Sequence, residues 1–219
     1  MLAAVQTRVL STRDLGRMKW AETYALQATL VEQRKRGEIA DQLVFVEHPH
    51  VVTMGRNGHD KNVLASEEIL AKSGIGFYHT NRGGDVTYHG PGQIVGYPIL
   101  NLNDWKRDVH AYVRALEDVI IATLRGFCVR GERSPGATGV WVGDAKICAI
   151  GVHISRWITS HGFALNVDTD LQYFQYIVPC GLARPVTSLR ALGIAAEHDE
   201  VKAALRSNFA KVFGYETEN

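Results

Sequence analysis

The spacing of hydrophobic residues predicts four helices. Apolar side chains recur every three to four positions in segments 15–36, 108–126 and 197–213, a period typical of amphipathic helices. In the second of these segments, either Asp104 or Asp108 can begin the helix. A shorter helix is predicted from Ser66 to Gly74, because serine favours the first position of a helix and glycine its end.

Short apolar runs between these segments predict strands. They lie at residues 3–10, 43–46, 51–54, 94–102, 139–142, 146–154 and 158–167. Strands outnumber helices, and several are joined by short turns such as Gly143-Asp144. We therefore predict an α/β (α+β) fold in which helices flank a mixed, largely antiparallel sheet. Since no linker or repeat divides the sequence, residues 1–219 are expected to form one domain.

Composition excludes several classes of protein. The net charge of the 219 residues is +1, which gives no general attraction to nucleic acid or to membranes. No run of eighteen apolar residues and no secretory signal pattern is present, so we expect a soluble cytoplasmic protein. The three cysteines, Cys128, Cys148 and Cys180, are too widely spaced for a disulfide framework or a zinc knuckle. No HExxH motif occurs, and no metal is expected.

Residues 82–93, with the sequence RGGDVTYHGPGQ, form the most unusual stretch. Glycine lets a backbone approach a ligand closely, and Val86-Thr87-Tyr88 favours an extended strand. A tight turn at 90–92 is expected to follow. The pattern matches neither the GxxxxGK[ST] loop nor GxGxxG, so no cradle for nucleotide phosphates is indicated. A glycine-rich hairpin with a solvated tip is the alternative.

Four side chains are candidates for chemistry. Cys180 lies between a proline and a glycine, where it is either a nucleophile on a turn or a small buried residue at a bend. Lys146 begins a strand, and beside a ligand cleft it can act as a base, whereas most such lysines are solvated. His89 and His161 can orient an oxyanion or a tyrosine, or they can be ordinary hydrogen-bonded residues at strand ends.

Three blocks together resemble the lipoyl(octanoyl) transferases of the LipB type. The blocks are RGGDVTYHGPGQIVGYPIL (82–100), GVWVGDAKICAIGVHISRWITSHGFALNV (139–167) and IVPCGLARPVTSL (177–189). The resemblance implies the fold of the biotin and lipoate protein ligases, which is related to the class II aminoacyl-tRNA synthetase core. It also implies transfer of an octanoyl group from octanoyl-acyl carrier protein to a specific lysine of lipoyl domains, in lipoate biosynthesis. The acceptors would be the E2 subunits of 2-oxoacid dehydrogenases and the glycine cleavage H protein.

The resemblance assigns roles to particular residues. Cys180 falls on the nucleophile that carries the acyl group as a thioester, and Lys146 on the lysine that activates this thiol and shuttles protons. Such a reaction needs no ATP and no metal, since the acyl group arrives on the phosphopantetheine of the carrier. The segments that fall on the substrate-binding site are Arg82, Gly83, Gly84, Asp85, Val86, Thr87, Tyr88 and His89; Ala149, Ile150 and Gly151; and Gly162, Phe163 and Ala164.

The sequence departs from the family pattern at three positions. Asp85 stands where an amide is frequent, His153 where a basic residue is common, and Cys148 where a small apolar residue is common. A carboxylate at Asp85 is expected to alter how the loop meets phosphopantetheine. Docking charge for acidic partner proteins is expected from Arg13, Arg17, Lys19 and the run 34–36, although a solvated helix end explains that run equally well.

Three alternative functions stay open from the sequence. An ATP-dependent lipoate or biotin ligase of the same fold would form an acyl-adenylate and would not require Cys180. A catalytically silent protein would bind lipoyl domains without turnover. A cysteine hydrolase using Cys180 and His161 would release free acid instead of forming an amide.

Overall fold

Two β-sheets and four helices make up the computed structural model, which describes residues 8–178 and 184–216. The strands are β1 (Leu10–Arg17), β2 (Asp41–Glu47), β3 (Val51–Met54), β4 (Gly76–His79), β5 (Val86–His89), β6 (Gln93–Ile99), β7 (Glu132–Ser134), β8 (Ala137–Val142), β9 (Ala145–Ser155) and β10 (Ile158–Asn166). The helices are α1 (Trp20–Lys35), α2 (Glu67–Lys72), α3 (Val109–Gly126) and α4 (His198–Phe213).

The larger sheet has the strand order β1-β2-β6-β10-β9-β8-β7, and the smaller one has the order β4-β3-β5. Every pairing in the larger sheet is antiparallel except β1 with β2. In the smaller sheet, β3 is parallel to β4 and antiparallel to β5. The predicted mixed, largely antiparallel sheet flanked by helices is therefore confirmed.

Both faces of the larger sheet are covered, which explains why β2 is apolar at consecutive positions. Leu43 and Phe45 point into the core formed with α3 and α4, while Val44 and Val46 point to the opposite side, where α1 packs. Alternate side chains of a strand face opposite sides of its sheet, so a strand covered on both faces needs an unbroken apolar run.

The helix predicted from residue 15 begins later. Residues 15–17 belong to β1, and α1 begins at Trp20 after Lys19 in an extended conformation. Pairing with β2 satisfies the backbone groups of β1, a long-range contact that side-chain spacing does not reveal. The strand predicted at 3–10 overlaps β1 only at Leu10, and residues 3–7 lie outside the described part of the chain. Strands β4 and β7 were not predicted.

Helix caps agree with the sequence. The Asp108 carboxylate accepts a hydrogen bond from Ala111 N at 3.0 Å, so α3 starts after Asp108 and not after Asp104. Ser66 Oγ accepts from Ile69 N in the same way at the start of α2. In each case a side chain satisfies a backbone N–H that the first helical turn leaves without a partner.

Residues near both ends of the chain meet at one buried carboxylate. The Arg8 guanidinium donates to Asp41 Oδ2 at 3.0 Å, to Tyr215 Oη at 2.6 Å and to Phe213 O at 2.7 Å. The Tyr215 hydroxyl donates to Asp41 at 2.6 Å. This network fixes β1 and the end of α4 against β2. Among the described residues, no helix has both the length and the apolar character needed to span a bilayer.

Candidate active site

A cavity lies between the two sheets, beside the start of α1. Its lining includes most of the predicted substrate-binding residues and both histidine candidates: Arg82, Gly84, Asp85, Val86, Thr87, His89, Ala149, Ile150, Gly151, His161, Gly162, Phe163 and Ala164. The remaining lining residues are Trp20, Val95 and Tyr97. Segments that are far apart in the sequence thus form one largely apolar chamber.

Gly83 and Tyr88 do not line this cavity. Thr87 and His89 face it, whereas Tyr88 is fully buried on the opposite side of β5 and shares a hydrogen bond of 2.7 Å with His50 Nδ1. This alternation is the ordinary geometry of a strand. Gly83 N donates to Val152 O at 2.9 Å and so attaches the glycine-rich loop to β9.

Close packing of this loop requires a glycine on β9. A Cβ atom added to Gly151 would lie 3.0 Å from Gly83 O and 3.2 Å from Arg82 Cδ. Arg82 itself donates to Thr53 O at 2.6 Å, to Thr53 Oγ1 at 3.0 Å and to Gly83 O at 3.1 Å. The buried guanidinium therefore holds the loop in place beside the cavity.

The carboxylate of Asp85 faces protein donors. Its oxygens accept from Val86 N at 2.8 Å, from His59 N at 3.2 Å and from the side-chain amide of Asn62. Asp85 is buried, and these three bonds join the loop to the short 3₁₀ turn at Asp60–Asn62. At this departure from the family pattern, the carboxylate is thus part of the internal framework of the loop.

The histidines around the cavity are neutral. Burial lowers the pKa of His48 to about 4, and the pKa values of His89 and His161 to about 3. His48 donates from Nδ1 to Met18 O at 2.8 Å, so its Nε2 accepts from the Tyr97 hydroxyl at 2.9 Å. The pKa of Tyr97 is raised, chiefly by burial.

His161 has an unusual backbone. Its φ is 57°, in the left-handed region that a residue other than glycine rarely adopts. Its N–H donates to Gln27 Oε1 at 2.8 Å, its ring shares a hydrogen bond of 2.7 Å with Asn81 Oδ1, and the ring stacks on Tyr24. Helix α1 and the loop before β5 thus stabilise a strained position at the cavity wall.

Lys146 is buried next to this cavity. Its Nζ lies 4.8 Å from the centroid of the Trp141 ring, within the range of a cation–π contact. A second, smaller cavity is lined by Lys146 and shares Thr87, Ala149 and Ala164 with the first. The two cavities therefore adjoin, with the lysine at the far side of the shared wall.

Cys180 lies outside the described residues, so its pairing with Lys146 stays a prediction. The chain after it is fixed next to the lysine, because Lys146 N donates to Pro185 O and Thr187 N donates to Lys146 O, each at 2.9 Å. Cys148 is buried in the core, where burial raises the pKa of its thiol. Across 8–178 and 184–216, no group of three or more His, Cys, Asp or Glu residues is arranged to hold a metal ion.

Most of the cations expected to dock partners have other contacts. Arg34 binds Asp41 and Asp104, Arg17 binds Glu47, and Arg36 binds Glu38. Arg13 donates to Gln42 Oε1 at 2.9 Å. These side chains make contacts within the protein, which favours the alternative that the run 34–36 is an ordinary helix end over a docking role.

Several residues of the site were not found from the sequence. Trp20 and Tyr97 were assigned only to a helix and a strand, and Gln93 and Asn166, which hold His89 through a chain of hydrogen bonds, were not singled out. Aromatic and amide residues of this kind are common in proteins, and nothing in the local sequence marks these four as part of a site. Only the register of β6 and β10, where Gln93 pairs with Asn166, brings them together.

Known proteins resemble this chain over most of its length. Residues 19–210 match the model of the lipoyl protein ligase A/B catalytic domain. The octanoyltransferase of Solibacter usitatus (strain Ellin6076) is 61% identical over 204 residues, which cover 93% of each chain. That of Gloeobacter violaceus (strain ATCC 29082 / PCC 7421) is 48% identical over 199 residues, covering 91% of this chain and 86% of the other.

Solved structures share the fold at low sequence identity. The bipartite lipoate protein ligase of Thermoplasma acidophilum superposes with a TM-score of 0.76 at 18% identity, covering 97% of this chain and 86% of the other. A biotin protein ligase from Aquifex aeolicus gives 0.54 at 11%, covering 95% and 70%. The chain therefore belongs to the lipoyl protein ligase A/B catalytic domain family and, like the octanoyltransferases it matches, is an acyltransferase.

Proposed function

We propose that this protein transfers an octanoyl group from octanoyl-acyl carrier protein to a specific lysine of lipoyl domains. The transfer passes through a thioester on Cys180, and residues 1–219 act as one catalytic domain. The observation that carries the proposal is the pair of adjoining cavities, one largely apolar and the other containing Lys146. Support also comes from relatives named octanoyltransferases that are up to 61% identical.

The apolar cavity suits a medium-length acyl chain. Phe163, Val95 and Ile150 are among its lining residues, and predominantly apolar side chains with a few polar groups are usual for a small-molecule site. The acyl tail would occupy this chamber, while its carbonyl end would point through the shared wall of Thr87, Ala149 and Ala164 towards Lys146.

The first half-reaction forms the acyl-enzyme. Lys146 takes the proton of the Cys180 thiol, and the thiolate attacks the carbonyl carbon of the donor thioester. The tetrahedral intermediate collapses, the bond to the phosphopantetheine sulfur breaks, and the departing sulfur takes the proton from Lys146. A thioester is already activated, so this step uses neither ATP nor a metal.

The second half-reaction forms the amide. The amine of the acceptor lysine attacks the Cys180 thioester, the C–S bond breaks, and neutral Lys146 accepts the proton that the amine loses. Chain length limits how far the two groups can be apart. Cys180 precedes Pro185 by five residues, a span of at most about 18 Å, and Pro185 O is bonded to Lys146 N at 2.9 Å.

The acceptor is proposed from the same family membership. One of the similar structures is described as an archaeal lipoylation system comprising a lipoate protein ligase and its E2 lipoyl domain. We expect the acceptors of this chain to be lipoyl domains of 2-oxoacid dehydrogenase E2 subunits and of the glycine cleavage H protein. A cytoplasmic location would place the enzyme with these partners.

Intact mass spectrometry tests the proposal. The protein is mixed briefly with octanoyl-acyl carrier protein without ATP, beside Cys180→Ser. One octanoyl group should appear on the wild type, be removed by hydroxylamine and be absent from the variant, and a lipoyl domain added next should acquire that mass.

Other outcomes separate the alternatives. Transfer by Cys180→Ser without an adduct would contradict the covalent mechanism. Activity that appears only with ATP and free octanoate would indicate a ligase, and release of free octanoate without amide formation would indicate a hydrolase. Binding of the lipoyl domain with no transfer under either condition would indicate a silent binding protein.

A further inference from the structure

A buried chain of hydrogen bonds runs from the cavity to the backbone beside Lys146. His89 Nδ1 lies 2.8 Å from Gln93 Oε1, and Gln93 Nε2 lies 2.8 Å from Asn166 Oδ1. Asn166 Nδ2 then donates to Thr187 O at 2.9 Å. The N–H of Thr187 is itself bonded to Lys146 O at 2.9 Å. His89, Gln93 and Asn166 are all buried.

Thr187 O, the last acceptor in this series of hydrogen bonds, determines which atom donates and which accepts in every bond before it. A backbone carbonyl can only accept, so Asn166 must turn its NH₂ group towards Thr187 and its oxygen towards Gln93. Gln93 must then donate its NH₂ to Asn166, and it also faces Tyr88 O at 3.4 Å. Its oxygen is left facing His89, which must carry a proton on Nδ1.

We infer that His89 presents Nε2 to the cavity ligand as a hydrogen-bond acceptor, and that Gln93 and Asn166 are positioning residues which hold it in this form. A neutral imidazole with its proton on Nδ1 has no donor at Nε2. His89 therefore does not donate to an oxyanion, in contrast to one of the roles expected from the sequence. The ligand group it recognises is a hydrogen-bond donor, either N–H or O–H. In the proposed reaction, on which this choice of ligand rests, that donor is an amide or hydroxyl of the phosphopantetheine arm or the amine of the acceptor lysine.

The surroundings of His89 keep the ring neutral. His48 faces it from the β2–β3 connection with ring centroids 5.9 Å apart, Arg82 from the preceding loop and His161 from β10. None of these groups is a carboxylate that would stabilise an imidazolium. Burial is the main cause that lowers the pKa of His89 to about 3.

Nitrogen NMR of the full-length protein tests the inference directly. With ¹⁵N-labelled histidine, and His89→Gln to assign the signals, the wild type at pH 7 should show His89 protonated at Nδ1 and not at Nε2. A proton on Nε2, in either the other tautomer or an imidazolium, would overturn the inference. This readout does not require turnover, so it stands even if the proposed octanoyl transfer is not found.

Gln93→Glu provides the functional test. The new carboxylate still accepts from Nδ1 of His89, but its charge raises the pKa of the ring and favours a proton on Nε2. We expect an imidazolium signal to appear as the pH is lowered from 7 to 5, and the transfer rate to fall by about tenfold relative to the wild type at the same pH where it appears, the size of one hydrogen bond. Asn208→Asp, which makes the same amide-to-carboxylate change on α4, is the matched control and should keep the wild-type rate.

Measuring the two half-reactions separately identifies the ligand group that donates a hydrogen bond to His89 Nε2. A slower appearance of the octanoyl-enzyme in Gln93→Glu would assign that group to the carrier arm, and slower transfer to the lipoyl domain would assign it to the acceptor lysine. An imidazolium signal together with an unchanged rate in both halves would refute the positioning role. If the variant does not fold, the tautomer of the wild type decides the question.

Discussion

Removing the Asp85 carboxylate should destabilise the loop that frames the cavity. In Asp85→Ala, three donors lose their acceptor: Val86 N, His59 N and the amide of Asn62. A buried donor without a partner costs about 1–3 kcal/mol, and the more accessible His59 N–H recovers part of its bond from water. The two buried donors alone make us expect the free energy of unfolding to fall by about 2–6 kcal/mol. A loss of 3 kcal/mol lowers Tm by about 6–12 °C in a chain of this size.

Asp85→Asn separates the loss of bonds from the loss of charge. The amide oxygen still accepts from the two backbone N–H groups, and Asn62 can rotate its own amide to offer its oxygen. We expect a cost of about 1 kcal/mol, because the bonds become neutral ones. Glu68→Ala removes an exposed carboxylate that pairs with Lys72 and serves as the control, with an expected change below about 0.5 kcal/mol.

Equilibrium unfolding in urea, followed by circular dichroism, measures all three variants. An unchanged m-value is required for the comparison, because it shows that the variants expose the same surface on unfolding. Combining Asp85→Ala with Asn62→Ala should give much less than the sum of the two single effects, since the residues share a hydrogen bond. The reasoning fails if Asp85→Ala lies within 1 kcal/mol of the wild type or if Asp85→Asn is equally damaging.

Three further predictions concern packing, pH and catalysis. Gly96→Ala places a Cβ against the Phe163 ring and should lower the free energy of unfolding, measured in urea, by about 1–3 kcal/mol. Gly126→Ala is the control, because open space surrounds Gly126, and it should not lower the free energy of unfolding. Equal effects of the two variants would contradict the packing argument. Three cavity histidines stay neutral in the folded protein but take up protons near pH 6.5 when unfolded: His48, His89 and His161. The free energy of unfolding should therefore be constant above about pH 6.5 and fall as the pH drops towards 4, by up to about 1.4 kcal/mol per pH unit for each histidine. Urea titrations at pH 7, 6 and 5 measure it, and a free energy of unfolding that does not change with pH would contradict the prediction. Lys146→Arg places a guanidinium near Trp141 that stays protonated at neutral pH and cannot accept a proton. Amide formation should therefore slow by at least about 100-fold with Tm nearly unchanged, while Lys211→Arg has no effect. An active Lys146→Arg enzyme would rule out the lysine as base.

Local features could be predicted from the sequence. The apolar stripe of α3 and both candidate caps, Asp104 and Asp108, are contained within one segment, and the helix begins after the second of the two. The glycine-rich stretch likewise gave β5 and the turn after it. β1 could not be predicted, because its hydrogen bonds are made with β2, roughly thirty residues further along the sequence. The spacing of apolar residues within β1 does not indicate this pairing.

The site itself was only partly visible in the sequence. Glycines, histidines and a lysine are distinctive residue types, and most of those selected do line the two cavities. Gln93 and Asn166 are common polar residues 73 positions apart, and their importance comes from facing each other across β6 and β10. Such a pair becomes recognisable only when the strand register is known.

The contact of Arg8 with Asp41 and Tyr215 has a consequence for biosynthesis. Two of its members are 207 residues apart in the sequence, so the contact cannot form until the residues after α4 have left the ribosome. At about 5–20 residues per second, the nascent chain waits roughly 8–34 s between the end of β2 and the synthesis of Tyr215, with β1 and β2 made but not yet joined to the residues after α4. Contacts of such long sequence separation also slow the folding that follows. A chaperone that covers this edge of the sheet during translation would therefore raise the yield of folded enzyme.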